Sequence, residues 1–145
     1  MADPGVTTLE DRELRALLGD ARTVAVVGLS SKPDRPSYGV ARYLQEHGYR
    51  IVPVNPHETE VLGERAFATL SDIPADVRVD VVDVFRRAEE TPAVARDAVA
   101  IGAKVLWLQE GIVNDEAYRI AAGAGLEVIM GVCIRKTIGR LDAGG

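Results

Sequence analysis

Residues 23–56 read TVAVVGLSSKPDRPSYGVARYLQEHGYRIVPVNP, and this stretch decides the fold. It opens with a short β-branched apolar run, Thr23–Gly28, which is typical of a strand covered on both faces. A polar loop and an amphipathic helical stretch from Ser37 follow, and Arg50–Val54 is a second apolar run. A strand, a helix and a strand joined by short connections indicate a right-handed unit with parallel strands.

The rest of the sequence repeats this alternation. Three further apolar runs, Val79–Phe85, Lys104–Gln109 and Leu126–Met130, are predicted strands, and helices are predicted to begin at Thr91 and after Asn114. Five such strands predict an α/β protein with a Rossmann-like, doubly wound, mainly parallel sheet. Numbered along the chain, the strands are expected in the order 3-2-1-4-5, with helices on both faces of the sheet.

The ends of the chain and one internal segment are less regular. A single domain is expected over residues 1–145, with loose tails at 1–7 and 142–145. An amphipathic helix is predicted to start after Thr8, which would cap it. The segment His57–Pro74 is expected to hold a short irregular piece and a turn.

Composition restricts the class of protein. The chain has 145 residues, 47% of them apolar, which suits one globular domain. Its formal net charge of −5 leaves no broad basic surface for nucleic acid or for an anionic membrane. No apolar run reaches about 18 residues and no basic-then-apolar leader is present, so neither a membrane span nor a signal peptide is expected. A cytoplasmic location is predicted, since the only cysteine, Cys133, excludes an internal disulfide.

The residue types of metal and catalytic sites are sparse. His47, His57 and Cys133 show no metal-ligand spacing, and no Ser–His–Asp or Cys–His arrangement is recognisable. We therefore expect no metal site and no catalytic residues. Cys133 is interpreted as a small buried hydrophobe, the alternative being a thiol close enough to a ligand's sulfur to form a mixed disulfide.

The loop after the first strand differs from a dinucleotide fingerprint. That fingerprint has glycines two and five positions after Gly28, where this sequence has Ser30 and Pro33. The acid that holds the ribose diol of NAD is also missing, because Asn55 follows the second strand. Two independent features of NAD recognition are therefore absent from this sequence.

The same loop suits an anion. Ser30 and Ser31 supply hydroxyls, Lys32 and Arg35 supply positive charge, and Ser37 begins a helix with free N–H groups. Ligands of doubly wound sheets bind outside the carboxyl ends of the strands, where the strand order reverses. The loop therefore predicts a site for a pyrophosphate or a ribose phosphate, the alternative being an ordinary solvated loop.

Several sequence blocks, in order, resemble a known family. Residues 24–56, then LGERAF, VDVVDVFR, GAKVLWLQEGI and a late cysteine resemble the small CoA-binding domain proteins. These proteins are similar in turn to the N-terminal CoA-binding domain of the succinyl-CoA synthetase α subunit. The resemblance covers roughly residues 9–141 and implies that the cofactor is coenzyme A or an acyl-CoA.

The resemblance also implies which residues form the site. A phosphate-cradling loop, a loop beside the nucleotide, a turn flanking the adenine and a segment at the opposite wall are expected. The phosphate-cradling loop corresponds to Gly28, Ser30, Ser31 and Lys32, and the loop beside the nucleotide to Val54, Asn55 and Pro56. The turn flanking the adenine corresponds to Val84 and Phe85, and the segment at the opposite wall to Glu110, Gly111 and Ile112. Asn55 is equally well explained as a strand terminator or as a loop anchor or nucleotide contact. His57 is either an exposed loop histidine or a phosphate contact.

Three classes of function remain open. The favoured one is a non-catalytic module that binds, carries or senses CoA or an acyl-CoA, with this small molecule as its partner. The alternative is an NAD(P)-dependent oxidoreductase or a subunit of a CoA-transferring enzyme, and a third class is an interaction protein that kept the fold and lost the ligand. The missing ribose acid argues against the oxidoreductase, and the basic loop argues against loss of the ligand. The synthetase's domain with the phosphorylated histidine has no counterpart in this sequence, which argues against the transferring enzyme.

Overall fold

A five-stranded parallel sheet forms the centre of the protein in the computed structural model, which describes residues 9–144. Its strands are β1 (Thr23–Val27), β2 (Arg50–Val54), β5 (Val81–Val84), β6 (Val105–Glu110) and β7 (Glu127–Gly131). They pair in the order β2-β1-β5-β6-β7, and every neighbouring pair is parallel. The predicted α/β class and the five-stranded sheet are confirmed.

The predicted strand order is wrong. In the numbering of the prediction the observed order is 2-1-3-4-5, because β5 pairs with β1 over Val24–Val27 and not with β2. All residues of β5 are buried, as a central strand requires, whereas β2 contains Pro53, which has no N–H for a second ladder. The order therefore reverses between β1 and β5, and the ligand crevice is expected at that point.

Helices cover both faces of the sheet, as predicted. On the front face, α1 (Asp11–Asp20), α2 (Pro36–Glu46) and α5 (Ile134–Gly144) pack over a core that includes Trp107. On the back face, α3 (Thr91–Ala100) and α4 (Asp115–Gly123) pack over a core that includes Leu106. Trp107 and Leu106 are neighbours on β6, and their separation onto two faces follows from the alternation of side chains along a strand.

The helix starts partly match the prediction. Asn114 caps α4 as predicted, because its Oδ1 accepts the N–H of Ala117 at 2.9 Å. The cap of α1 is Glu10 rather than Thr8, and its N–H donates to the carboxylate of Glu13 at 3.2 Å. Thr8 itself lies outside the described residues.

The helix α5 was not predicted. Its apolar residues Ile134, Ile138 and Leu141 recur at helical spacing and are buried against the front face, which explains why this stretch is helical. Residues 142–144, expected to be part of a tail, belong to the end of this helix. The remaining tail residues, 1–7 and 145, lie outside the described part of the chain.

The segment after β2 is irregular, as predicted, and it covers the outer edge of the sheet. It contains a small hairpin of β3 (Glu60–Val61) and β4 (Glu64–Arg65), whose turn residues have positive φ, followed by a 3₁₀ turn at Leu70–Asp72. Phe67 exchanges backbone hydrogen bonds with β2, donating to the carbonyl of Pro53 at 3.0 Å. This contact protects an edge that would otherwise expose unpaired backbone groups.

Candidate functional site

The loops after β1, β2 and β5 meet at the carboxyl edge of the sheet. Phe85 donates its N–H to the carbonyl of Val27 at 2.8 Å, and Gly28 donates its N–H to the carbonyl of Val54 at 2.8 Å. Gly28 has a φ of +87°, and a Cβ at this position would collide with the carbonyl oxygen of Phe85. Only glycine permits this close approach of the two central loops.

The β1–α2 loop, residues 28–35, is held by its own Ser30 and by Ser37 of α2. Ser30 donates its N–H to the hydroxyl oxygen of Ser37 at 3.1 Å, and its own hydroxyl oxygen accepts the N–H of Lys32 at 3.1 Å. Ser37 is 4% exposed and lies in the first turn of α2. Each hydroxyl accepts within the loop and keeps a hydrogen to donate, so the serines can both shape the loop and contact a ligand.

A cavity of about 310 Å³ lies over this loop. Six predicted site residues line it, namely Gly28, Ser30, Lys32, Arg35, Ser37 and Phe85. Lys32 and Arg35 are exposed, and neither forms a salt bridge within residues 9–144. Two exposed cations that form no salt bridge, next to the amino end of α2, make a favourable environment for an anion.

A larger cavity, of about 640 Å³, adjoins the first one on the front face. The two cavities share Pro36 and Phe85, and the larger one extends between the amino ends of α2 and α5 over the end of β6. Its other lining residues are Val40, Gln109, Glu110, Ile112, Cys133, Arg135 and Lys136. Glu110 and Ile112 were predicted site residues, and Cys133 was considered as a thiol near a ligand's sulfur. Arg135 and Lys136 were not predicted, because they belong to α5.

Asn55 joins two of the loops. Its amide nitrogen donates to the carbonyl of Leu29 at 3.0 Å, and its amide oxygen accepts the N–H of His57 at 2.9 Å. Both ends of the amide are therefore engaged within the protein, and Asn55 is a loop anchor. Of the two interpretations of this residue, the structure favours the anchor over the plain strand terminator.

Other predicted residues lie beside these two cavities rather than in their walls. Val54 and Val84 are buried strand ends, and Val54 lines a separate cavity of about 300 Å³ on the back face. Pro56, His57 and Gly111 are exposed. Ser31 and Asn55 also line neither cavity. The predicted residues that the structure brings together in the two cavity walls are Gly28, Ser30, Lys32, Arg35, Ser37, Phe85, Glu110 and Ile112.

An acid that was not among the predicted site residues contacts the β1–α2 loop. The N–H of Ser31 donates to Oε2 of Glu58 at 2.8 Å. Hydrogen bonding to Ser31 lowers the pKa of Glu58, and the nearby charges of His57 and Lys32 lower this pKa further. Asn55 follows β2 directly, as the sequence shows, but Glu58 of the same loop brings a carboxylate close to the first loop.

The wall formed by α5 carries a thiol and two cations. Cys133 is half-buried, and its carbonyl accepts the N–H of Thr137 at 3.0 Å, next to the start of α5. Lys136 pairs with Glu110 at 2.9 Å, and the hydrogen bond to Glu110 raises the pKa of Lys136. The guanidinium of Arg135 lies 5.2 Å from the ring centre of Tyr43.

Asp83 is an unusual buried acid beneath the site. It lies in β5 and is paired in register with Val26 and Trp107. Its side chain is 0% exposed, and neither carboxyl oxygen has a hydrogen-bond partner among the described residues. Burial raises the pKa of Asp83 well above its ordinary value. By the alternation along the strand it shares the front face with Phe85.

A doubly wound parallel sheet with a cationic, serine-containing loop at its reversal point defines a Rossmann-like nucleotide-binding domain. A family model described as a CoA binding domain matches residues 22–137. The chain belongs to this family of CoA-binding domains. Membership supports CoA binding in general, and it confirms the family resemblance identified from the sequence.

The chain is similar to several known proteins and solved structures. The uncharacterized protein YneT of Bacillus subtilis is 44% identical over 123 residues, which are 85% of this chain and 90% of that protein. A solved structure, a hypothetical protein from Pyrococcus horikoshii OT3, has a TM-score of 0.91 and 36% identity, and the match covers 97% of this chain and 98% of that one. The α subunit of acetate–CoA ligase (ADP-forming) II of Pyrococcus furiosus is 36% identical over 67 residues, which are 46% of this chain but 15% of that subunit.

Two further observations concern the described part of the chain. Among residues 9–144, no helix combines the length and the apolar character that a membrane crossing requires. Within the same residues, no group of three or more His, Cys, Asp or Glu side chains is arranged so that it could hold a metal ion.

Proposed function

We propose that this protein binds coenzyme A or an acyl-CoA as a non-catalytic carrier or sensor module. The observation that carries the proposal is the junction of the two front-face cavities at Pro36 and Phe85. One cavity is small and cationic, and the other is about twice as large and extends along the sheet edge to a thiol. CoA has the same two parts, a phosphate-rich nucleotide and a long arm that ends in sulfur.

Each part of the site has a proposed role. The β1–α2 loop, through Lys32 and Arg35, would hold phosphates, and Gly28 would let the ligand approach the backbone. Phe85, which lines both cavities, would flank the adenine as the resemblance implies, and Ile112 would contact the arm. The remaining predicted residues would complete or support the site, and they are Ser30, Ser31, Ser37, Val54, Asn55, Pro56, His57, Val84, Glu110 and Gly111.

The first prediction concerns Lys32. Calorimetric titration should show that Lys32→Ala binds CoA about 5–150-fold more weakly than the wild type, the range for loss of one charge-assisted contact. Arg119→Ala removes the same charge from an exposed position on α4 and is the matched control. Equal affinities of the wild type and Lys32→Ala would remove the loop from the site.

Two alternative functions have specific support. Glu58 brings a carboxylate to the first loop, as an NAD(P)-dependent oxidoreductase would require for a ribose diol. The similarity to a ligase subunit favours a component of a CoA-transferring enzyme. Titration with CoA, dephospho-CoA and NAD distinguishes the oxidoreductase from the CoA carrier. If NAD bound as tightly as CoA, the carrier proposal would be contradicted. Turnover of CoA with acetate and a nucleotide by the protein alone would favour the second.

A further inference from the structure

At the tip of the β1–α2 loop, a backbone N–H binds a carboxylate of the protein itself. The N–H of Ser31 points to the carboxylate of Glu58, with a donor–acceptor distance of 2.8 Å. Lys32 follows Ser31 in the sequence, and its charge contributes to lowering the pKa of Glu58. A carboxylate therefore occupies a backbone donor, beside a positive charge, of the kind that a ligand phosphate would use.

This contact differs from the other hydrogen bonds of the loop. The N–H of Ser30 is satisfied by Ser37, whose hydroxyl is buried and fixed by α2. The partner of Ser31 is instead a half-exposed glutamate with several rotatable bonds. The N–H of Ser30 thus has a fixed partner, whereas the N–H of Ser31 can lose its partner when Glu58 changes rotamer.

The backbone that carries Glu58 is fixed, so the departure would be confined to its side chain. The N–H of Glu58 donates to the carbonyl of Asn55 at 3.2 Å, and the amide of Asn55 is tied to Leu29 and to His57. The loop after β2 therefore delivers the carboxylate to the same place in each molecule. Movement of one side chain exposes the N–H of Ser31 without any rearrangement of the backbone.

We propose that Glu58 is an exchangeable internal anion of the CoA site, which a ligand phosphate displaces from the N–H of Ser31. This inference rests on the proposed function. In the empty site the carboxylate keeps the loop ordered next to Lys32. During binding it must turn away and then stands close to a like charge, which weakens the binding of phosphates. Glu58 thereby sets the affinity to a level at which the ligand is readily released, as a carrier or sensor requires.

The test compares two glutamates on the same segment. Glu58→Gln keeps a similar shape and an oxygen acceptor but removes the charge, so CoA should bind about 3–10-fold more tightly, as expected for removal of a like charge at a partly exposed site. Glu60→Gln makes the same change of net charge on exposed β3 and should alter the affinity less than about twofold. The amide resonance of Ser31, followed by NMR during the titration, reports the exchange of partners directly.

The possible outcomes separate this inference from the proposed function. Weaker binding by Glu58→Gln would make Glu58 a ligand contact, and unchanged binding would show that no displacement occurs. Either result overturns the inference while CoA binding stands. If the wild type binds no CoA, the proposed function fails, and inorganic pyrophosphate becomes the probe for the same pair of variants. Absence of pyrophosphate binding in the wild type and in Glu58→Gln would overturn the inference as well.

Discussion

Gly28 connects the conformation of a single residue to the shape of the site. Its positive φ and its contact with the carbonyl of Phe85 are separate requirements for glycine. Gly48 has a similar φ of +90°, but a Cβ at that position would meet nothing within 4 Å. Substituting Gly28 and Gly48 by alanine therefore distinguishes two losses of unfolding free energy, one from the backbone conformation and one from the collision.

We expect Gly28→Ala to lower the free energy of unfolding by about 2–4 kcal/mol, the sum of about 1 kcal/mol for the left-handed conformation and the rest for overpacking. Gly48→Ala should cost about 1 kcal/mol. Urea denaturation of both variants gives the comparison. If the two variants lose the same stability, the chain has relieved the collision by a small backbone shift.

The residues of the β1–α2 loop could be predicted from sequence because they are contiguous and follow a recognisable strand. Glu58 could not, since nothing in its local sequence shows that its side chain crosses to another loop. Arg135 was missed for a related reason. It belongs to the cavity only because α5 returns to the front face, and a contact between distant segments leaves no local pattern.

At the scale of elements, the start of α4 depends on Asn114. Its amide oxygen caps the helix, and its amide nitrogen donates to the carbonyl of Ala88 at 3.0 Å, so one side chain also holds the loop before α3. We expect Asn114→Ala to lower the free energy of unfolding by about 1–2 kcal/mol, the upper part of the usual range for a cap.

Asn114→Asp is the control for this prediction. An aspartate keeps the acceptor for the helix but loses the donor to Ala88, so it should recover the capping part of the stability. Thermal unfolding of both variants at neutral pH measures the difference. Equal loss in Asn114→Asp and Asn114→Ala would mean that the bond to Ala88 matters and the cap does not.

The strands could be located from their apolar runs, but their order could not be taken from a generic dinucleotide-binding pattern. Pro53 in β2 was an available signal, since a strand that lacks one N–H is suited to an edge. The stretch around Val81–Val84 gave no equally clear signal, because Asp83 interrupts its apolar run. The helix α5 has a clear apolar repeat in the sequence, so it too was predictable in principle.

For the whole molecule, two acids near β5 shape the dependence of stability on pH in opposite directions. Partial burial would raise the pKa of Asp80, but the N–H groups of Arg22 and Thr23, with Lys104, outweigh it, and this pKa is lowered. Asp80 therefore contributes stability that is lost in acid, as pH falls through its lowered pKa. Asp83 has a raised pKa, so its folded form retains a proton that the unfolded chain releases.

The stability contributed by Asp83 therefore decreases as pH rises above the unfolded pKa of about 3.8, until the pH passes the raised folded value. Asp83→Asn removes this titration. Relative to the wild type, the variant should gain up to about 1.4 kcal/mol of unfolding free energy per pH unit within that window. Urea denaturation at about pH 5 and about pH 8 gives the two differences, and the contribution of Asp80 cancels between the proteins. Parallel pH profiles would show that Asp83 is not the titrating group.

The contact between the first and last helices has a consequence for how such a domain can be used in longer polypeptides. The guanidinium of Arg15 donates to the carbonyl of Leu141 at 3.2 Å, and Arg140 pairs with Asp11 at 2.8 Å. The described start of α1 and the described end of α5 therefore lie side by side on the front face, within reach of a short linker. New ends could then be opened at the exposed Gly102 turn, at the amino edge of the sheet and away from both front cavities. We therefore expect the fold to tolerate circular permutation, and insertion between two segments of a host protein to leave both front cavities intact.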